Sequence, residues 1–194
     1  MHSCIYVLID GDEQVAESLV ANALDPFNEA HDVAPYKDHL SRSCVRYMAE
    51  HFKIPDTDLQ KLAGRMPEWR GVPGGVDELG LFAICTSNPD GKWDWYEIGG
   101  RWDGFITGRK QPNSDLIQNN SILASTLLKA RDFAKRLPAG IVTPTGEWIE
   151  RTSLVTTSNG WYVREIPKRV WCNRVRRILD AFPRYRVVCV DAHN

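Results

Sequence analysis

The order of apolar and polar residues predicts buried strands near both ends of the chain. Residues 4–9 form a continuous apolar run rich in β-branched side chains, and a turn signal follows at residues 10–11. Residues 185–191 have the same character. Runs of this length and composition are typical of buried strands.

Between these strands, apolar residues recur at helical spacing in several stretches. The predicted helices cover residues 12–24, 38–52, 56–63, 114–137 and 167–182. Shorter apolar segments predict strands at residues 81–86, 93–98 and 105–107, and a hairpin with arms at residues 140–143 and 147–151. The Gly- and Pro-rich residues 64–79 are predicted to form an irregular loop.

The mixture of helices with hairpins predicts the fold class. It favours a single α+β domain over residues 1–194, with a mostly antiparallel sheet and helices packed on one face. A ferredoxin-like core with insertions is the specific form that we consider.

Composition narrows the environment in which the protein works. With 43% hydrophobic and 25% charged residues the chain is typical of a folded globular protein. Its apolar runs are too short for a bilayer, and its first residues do not resemble a signal peptide. The five cysteines include no C-x-x-C pair, which favours reduced thiols. We therefore expect a cytoplasmic protein without a membrane partner.

Charge is distributed unevenly along the chain although the net charge is only −1. Residues 1–40 contain eight acids and one base, whereas residues 164–186 contain eight bases and two acids. The two regions either form faces of opposite charge or lie together and neutralise each other. The basic patch on the last predicted helix comprises Lys168, Arg169, Arg174, Arg176 and Arg177. Such a helix either contacts a nucleic-acid backbone or is a solvated surface.

The segment Lys-Trp-Asp-Trp-Tyr-Glu-Ile-Gly-Gly-Arg-Trp-Asp-Gly, residues 92–104, holds three of the seven tryptophans. We call it the tryptophan motif. An arginine among indoles can bind a phosphate or carboxylate while a ring stacks on the ligand. The alternative is a structural role, with Arg101 paired internally to Asp94 or Asp103. The candidate binding residues are Lys92, Trp93, Asp94, Trp95, Tyr96, Gly99, Gly100, Arg101, Trp102 and Asp103.

Residues 92–102 resemble a motif in uncharacterised proteins of bacteriophages and prophages. Those proteins share an early strand, a segment like residues 25–29, and a strand ending in Asp-x-His, here Asp191 and His193. The resemblance implies a phage-related origin rather than a reaction. By analogy with other small phage proteins, it points to a protein that binds and disables host machinery.

A second candidate site follows the two terminal strands. If those strands are parallel neighbours, Asp10, Asp191 and His193 converge at one sheet edge, where an Asp–His pair can act as acid and base. The other histidines lack the spacing of a zinc site, and neither a phosphate loop nor a nucleophile motif is present. We therefore expect neither a metal nor a cofactor.

Three functions remain open. The preferred hypothesis is a non-enzymatic binder of a host protein or ribonucleoprotein complex in the host cytoplasm, with a host-defence complex as one target. The first alternative is an enzyme or binder for a nucleotide-like small molecule, in which Lys92 and Arg101 hold phosphate. The second is a nucleic-acid-binding module that uses the basic helix. Oligomeric state is not predictable from these features.

Overall fold

The structure is a computed structural model that describes residues 1–108, 116–157 and 160–193. The chain contains both helices and strands, grouped in runs of each and with mixed sheets, so the predicted α+β class is confirmed. The chain divides into two compact units. Unit 1 comprises Met1–Ala30, Pro89–Ser153 and Glu165–Asn194, and unit 2 comprises His31–Asn88 and Leu154–Arg164.

The elements are numbered in chain order. They are β1 (His2–Ile9), α1 (Ala16–Leu24), β2 (Asp32–His39), α2 (Arg42–Phe52), α3 (Leu59–Gly64), α4 (Met66–Arg70), β3 (Gly74–Asp77), β4 (Gly80–Ser87), β5 (Trp95–Ile98), α5 (Leu116–Asn120), β6 (Ser121–Leu123), α6 (Ala124–Leu127), β7 (Gly140–Val142), β8 (Trp148–Glu150), β9 (Thr152–Thr157), β10 (Gly160–Glu165), α7 (Lys168–Ala181) and β11 (Arg186–His193). Short 3₁₀ turns lie at Asp25–Phe27, Gly100–Trp102 and Phe133–Lys135.

The main sheet belongs to unit 1 and has the order β5-β11-β1-β7-β8, with β6 also paired to β11. Strands β1 and β11 are antiparallel along their whole length, from the pair His2–His193 to the pair Ile9–Arg186. Strand β7 runs parallel to β1. In a ferredoxin-like core the two parallel strands are separated by another strand, so the adjacent β1 and β7 do not match that form.

Both faces of this sheet are covered, which explains why β1 is continuously apolar rather than alternating. Ile5 and Val7 pack in one core with α1, whereas Tyr6 and Leu8 pack in another with α7. The expectation that helices pack on one face is therefore wrong for unit 1. A strand buried on both sides needs a helix on each face.

Unit 2 has its own antiparallel sheet of order β2-β4-β3 and a core that includes Met48, Leu62 and Met66. The irregular loop predicted over residues 64–79 instead contains α4 and β3. A Cβ on Gly74 would lie 2.5 Å from the Cβ of Met66, so the glycine allows β3 to approach α4 closely. Glycine and proline thus serve close packing here rather than disorder.

Two further predictions differ from the structure. The long helix predicted over residues 114–137 is divided into α5, β6 and α6, because residues 121–123 pair with β11. Its proposed start at residues 114–115 lies outside the described residues. Residues 105–107 form a turn rather than a strand, and strand β2 was not predicted. The terminal strands, α7 and the β7–β8 hairpin are confirmed.

Candidate functional site

The tryptophan motif lies beside the end of β11. Its strand, β5, pairs antiparallel with β11, so that Trp95 lies opposite His193 and Glu97 lies opposite Asp191. Cross-strand partners project from the same face of a sheet. The two segments that the sequence suggested separately therefore form one surface at the edge of the main sheet.

Part of the motif is buried in the fold. Trp93 is only 8% exposed, and its indole N–H donates a hydrogen bond of 2.9 Å to the carbonyl oxygen of Leu24. Its ring meets that of Tyr96 edge-on, with centroids 5.0 Å apart. Trp93 thus belongs to the core on the α1 face and is not exposed to a ligand in solvent.

The two glycines of the motif form a tight turn with positive φ, +75° at Gly99 and +49° at Gly100. A Cβ on Gly99 would overlap the amide nitrogen of Asn120, and one on Gly100 would lie 2.6 Å from the Cβ of Asp191. Both positions therefore require glycine for conformation and for space. The turn packs directly against the side chains of Asn120 and Asp191.

Asn120 fixes the residues that follow the turn. It is fully buried, and its amide group donates to the carboxylate of Asp103 and to the carbonyl oxygen of Leu116, each at 2.9 Å. Its oxygen accepts a hydrogen bond of 2.9 Å from the backbone N–H of Gly104. Asp103 therefore has a structural role, and the predicted Arg101–Asp103 pair does not form.

Asp191 connects the turn to the start of the chain. It is 1% exposed, and its Oδ2 accepts a hydrogen bond of 3.1 Å from the backbone N–H of Arg101. Its Oδ1 lies 3.0 Å from Nδ1 of His2. A buried carboxylate is costly unless such donors satisfy it. Asp191 thus fixes both Arg101 and His2.

Other motif residues remain on the surface. The side chain of Arg101 is exposed and has no ion-pair partner in the described ranges, so its predicted pair with Asp94 is also absent. Arg101 lines an open cleft of about 440 Å³ together with Lys135 and Arg136. Trp95 is 48% exposed. Asp94 and Glu97 are exposed as well, so these four motif residues are open to an external partner.

Lys92 and Trp102 contribute elsewhere. The ammonium group of Lys92 lies 3.5 Å from the carboxylate of Glu150 on β8. Trp102 is half-buried against the core of the α7 face and meets Phe105 edge-on at 5.7 Å between centroids. Trp102 also lines the cleft beside Arg101, whereas Lys92 does not.

Two Asp–His pairs stand side by side at this edge. Nδ1 of His193 lies 2.8 Å from the carboxylate of Asp94, and the ring centroids of His193 and His2 are 5.0 Å apart. The ring of Trp95 lies 6.1 Å from that of His2. We call His2 and His193, with Asp191 and Asp94, the histidine pair. The hydrogen bond from His193 lowers the pKa of the Asp94 carboxyl.

The carboxylates determine which imidazole nitrogen is available. An ionised carboxylate only accepts hydrogen bonds, so Nδ1 of each ring must carry the proton. Nε2 of each neutral ring is then a free base, and neither Nε2 has a hydrogen-bond partner among the described residues. Both rings are therefore oriented in the manner of acid–base histidines.

Asp10 does not belong to this cluster. Its predicted convergence with Asp191 and His193 required parallel strands, but β1 and β11 are antiparallel, and Asp10 follows the end of β1 that pairs with Arg186. Asp10 instead lines a separate cleft of about 400 Å³. His2 takes its place, and the sequence signal that was missed is its even spacing from Cys4 along β1.

The basic residues of α7 are exposed, and none has an ion-pair partner in the part of the chain that the structure describes. They are Lys168, Arg169, Arg174, Arg176 and Arg177. Trp171 is buried instead and donates 2.7 Å to the carbonyl oxygen of Pro138, so it cannot stack on a ligand. Helix α1, which carries Glu17, covers the opposite face of the sheet. The described contacts between the two charged regions include one ion pair, Arg186–Glu13 at 3.1 Å.

A comparison with protein-family models, curated proteins and solved structures found no match. No helix within the described ranges has the length and apolar character needed to span a bilayer. Nor do those ranges contain a group of three or more His, Cys, Asp or Glu side chains placed to hold a metal ion.

Proposed function

We propose that this chain is a phage-encoded protein that acts in the host cytoplasm by binding the RNA of a host ribonucleoprotein, with a host-defence complex as the class of target. The observation that carries the proposal is the exposed basic surface of α7, whose five bases form no ion pair with the residues that the structure describes. Phosphate groups are bound by clustered Lys and Arg side chains whatever the base sequence.

The separation of charge across unit 1 supports this proposal. Helix α1 and the segments beside it carry Asp12, Glu17 and Asp25 on one side of the sheet, whereas α7 carries five bases on the other. A protein with a net charge of −1 can still attract a polyanion when its bases are gathered on one face. The α7 face then orients the protein on its partner.

The exposed part of the tryptophan motif gives this surface a means of contacting bases. Trp95 offers an indole face, and Arg101 offers a free guanidinium group on a turn fixed by Asp191. Stacking of a base on an aromatic side chain contributes about 1–3 kcal/mol. Because the turn that carries Arg101 is rigid, less conformational entropy is lost when Arg101 binds a ligand.

The test measures binding of a fluorescent single-stranded oligoribonucleotide over a series of salt concentrations. We expect affinity to fall as salt rises, and the double variant Arg169→Glu/Arg177→Glu to lose about tenfold or more. Arg46→Glu on α2 is the control, because Arg46 is an exposed base in unit 2. Affinity that is independent of salt, or equal losses in the control, would contradict the proposal.

A nucleotide-like small molecule is the second candidate ligand, because the histidine pair lies next to Arg101. Lys92 would take no part, since it pairs with Glu150. The cleft beside Arg101 is lined by residues of the motif and by Asp132, Lys135 and Arg136, rather than by His193. Calorimetric titration with nucleoside diphosphates distinguishes the two candidates, because a small-molecule site would bind them without the α7 bases.

A further inference from the structure

We propose that the histidine pair is an acid–base site that cleaves RNA by transesterification. The proposal rests on the proposed function in one respect, that RNA is the partner brought to this edge of unit 1. It adds a reaction to that binding. The evidence for this site is the geometry of the two imidazole rings and of the groups that orient them.

The arrangement of the two rings is the first step. His2 and His193 are direct cross-strand partners, and their ring centroids are 5.0 Å apart. Their side chains are 24% and 40% exposed, so both can reach a ligand in solvent. Two imidazoles at this separation can contact the two oxygens on either side of one phosphodiester group.

The orienting carboxylates are the second step. Asp191 and Asp94 each accept the Nδ1 hydrogen of one ring, which leaves both Nε2 atoms available for proton transfer. Elsewhere in the described residues His39 also contacts a carboxylate, Asp77, but through Nε2. Because Nε2 of His39 is occupied by this contact, His39 lacks the free Nε2 that defines the histidine pair. The same carboxylate also binds Lys37.

The reaction needs only these two groups and the substrate. One neutral imidazole takes the proton of a ribose 2′-hydroxyl, and the 2′-oxygen forms a bond to the adjacent phosphorus. The bond from phosphorus to the 5′-oxygen breaks, and the other histidine, as imidazolium, gives its proton to that oxygen. The products are a 2′,3′-cyclic phosphate and a 5′-hydroxyl. Exchange with solvent then restores the original protonation of both rings.

Neighbouring groups suit this chemistry. The backbone N–H of Arg101 donates to Asp191, which orients His2, and the ring of Trp95 lies beside His2, where a base can stack. The titratable groups around the pair are Asp94 and Glu97 from β5, Asp191 from β11, Cys4 from β1 and the α-amino group of Met1. Since one imidazole must be neutral and the other protonated, we expect a bell-shaped dependence of cleavage rate on pH.

The experiment incubates the full chain with a 5′-labelled oligoribonucleotide in the presence of EDTA and identifies the product termini. We expect cyclic phosphate ends and no cleavage of the same oligomer made with 2′-deoxyribose. His2→Gln and His193→Gln should each lose about a hundredfold in rate, because general acid–base groups contribute 10²–10⁴-fold. His51→Gln, the same change at an exposed histidine of unit 2, should keep the full rate.

Two measurements keep the outcomes separate. Thermal unfolding establishes that each variant is folded, and the affinity for the 2′-deoxy oligomer reports binding without cleavage. If the protein binds the 2′-deoxy oligomer but does not cleave the RNA oligomer, the acid–base site is contradicted and the proposed function is not. Cleavage that both histidine variants retain would also overturn it. Neither binding nor cleavage by the natural chain would contradict both proposals.

The orienting role of Asp94 is tested separately, because Asp94 does not contact the scissile bond. Asp94→Asn is expected to lower the rate about tenfold, as loss of an orienting carboxylate costs less than loss of the base. It should also change the shape of the pH profile, which a purely structural role would not do. An unchanged profile would remove Asp94 from the site.

Discussion

The tryptophan motif contains two kinds of residue that its composition does not distinguish. Trp93, Gly99, Gly100 and Asp103 are buried or bonded within the chain, whereas Arg101 and Trp95 face solvent. The first group fixes the turn, and the second is displayed by it. A segment with many aromatic residues and glycines can therefore be a rigid support that displays a few exposed side chains. It need not be a continuous recognition surface.

Replacing one tryptophan from each group gives the largest expected difference in the free energy of unfolding. Trp93→Ala should lower the free energy of unfolding of unit 1 by about 3–5 kcal/mol, because it leaves a cavity and an unpaired Leu24 carbonyl group. Trp95→Ala should change it by less than about 0.5 kcal/mol. Urea unfolding followed by circular dichroism measures both. Equal losses would mean that the two groups are not distinct.

A glycine substitution sharpens the same comparison at the turn. Gly100→Ala should cost about 3 kcal/mol or more, since the new Cβ combines a left-handed φ with overlap against Asp191. Gly146→Ala is the matched control. Gly146 has φ of +79° but no atom within 4 Å of the added Cβ, so about 1 kcal/mol is expected. Similar unfolding midpoints for both variants would exclude the proposed contact.

The buried amide of Asn120 should have a smaller effect. Asn120→Ala removes the partner of Asp103 and of the Gly104 N–H, and we expect a loss of about 2 kcal/mol. Asn173→Ala on the exposed surface of α7 should stay within about 0.5 kcal/mol of the natural chain. Hydrogen exchange at the Gly104 amide would follow the local change. Unaltered protection there would count against the role of Asn120.

The smallest expected effect is a change in the pKa of the Asp94 carboxyl. The hydrogen bond from His193 lowers the pKa of this carboxyl, so His193→Ala should return it towards its ordinary value. A lowered carboxyl pKa contributes stability above the ordinary value, and that contribution is lost as pH falls through the lowered value. NMR titration of the Asp94 side chain measures the change. His51→Ala should leave the titration as it is.

Local sequence patterns predicted the terminal strands, α7 and the β7–β8 hairpin, because each has a periodicity that one element can satisfy alone. They failed at residues 121–123, where pairing with β11 overrides the helical spacing of the surrounding apolar residues. They also failed at β3, where glycine serves a close approach to α4. Local spacing carries no information about such distant partners.

The candidate site depended on strand direction, which the sequence did not provide. A parallel arrangement of the terminal strands would have brought Asp10 to Asp191, and the antiparallel register brings His2 instead. The proximity of the motif to His193 likewise follows from the pairing of β5 with β11. The chemical types of the residues were visible in the sequence, but their association was not.

The position of β11 affects how the protein is made. This strand pairs with β1, β5 and β6, yet the ribosome synthesises it after all of them. The main sheet therefore lacks an inner strand until β11 has been made, and until then the edges of β1 and β5 stay open to other chains. Unit 2 completes its sheet within residues 32–87 and can fold while β11 is still unmade. The main sheet is thus completed later than the three-stranded sheet of unit 2.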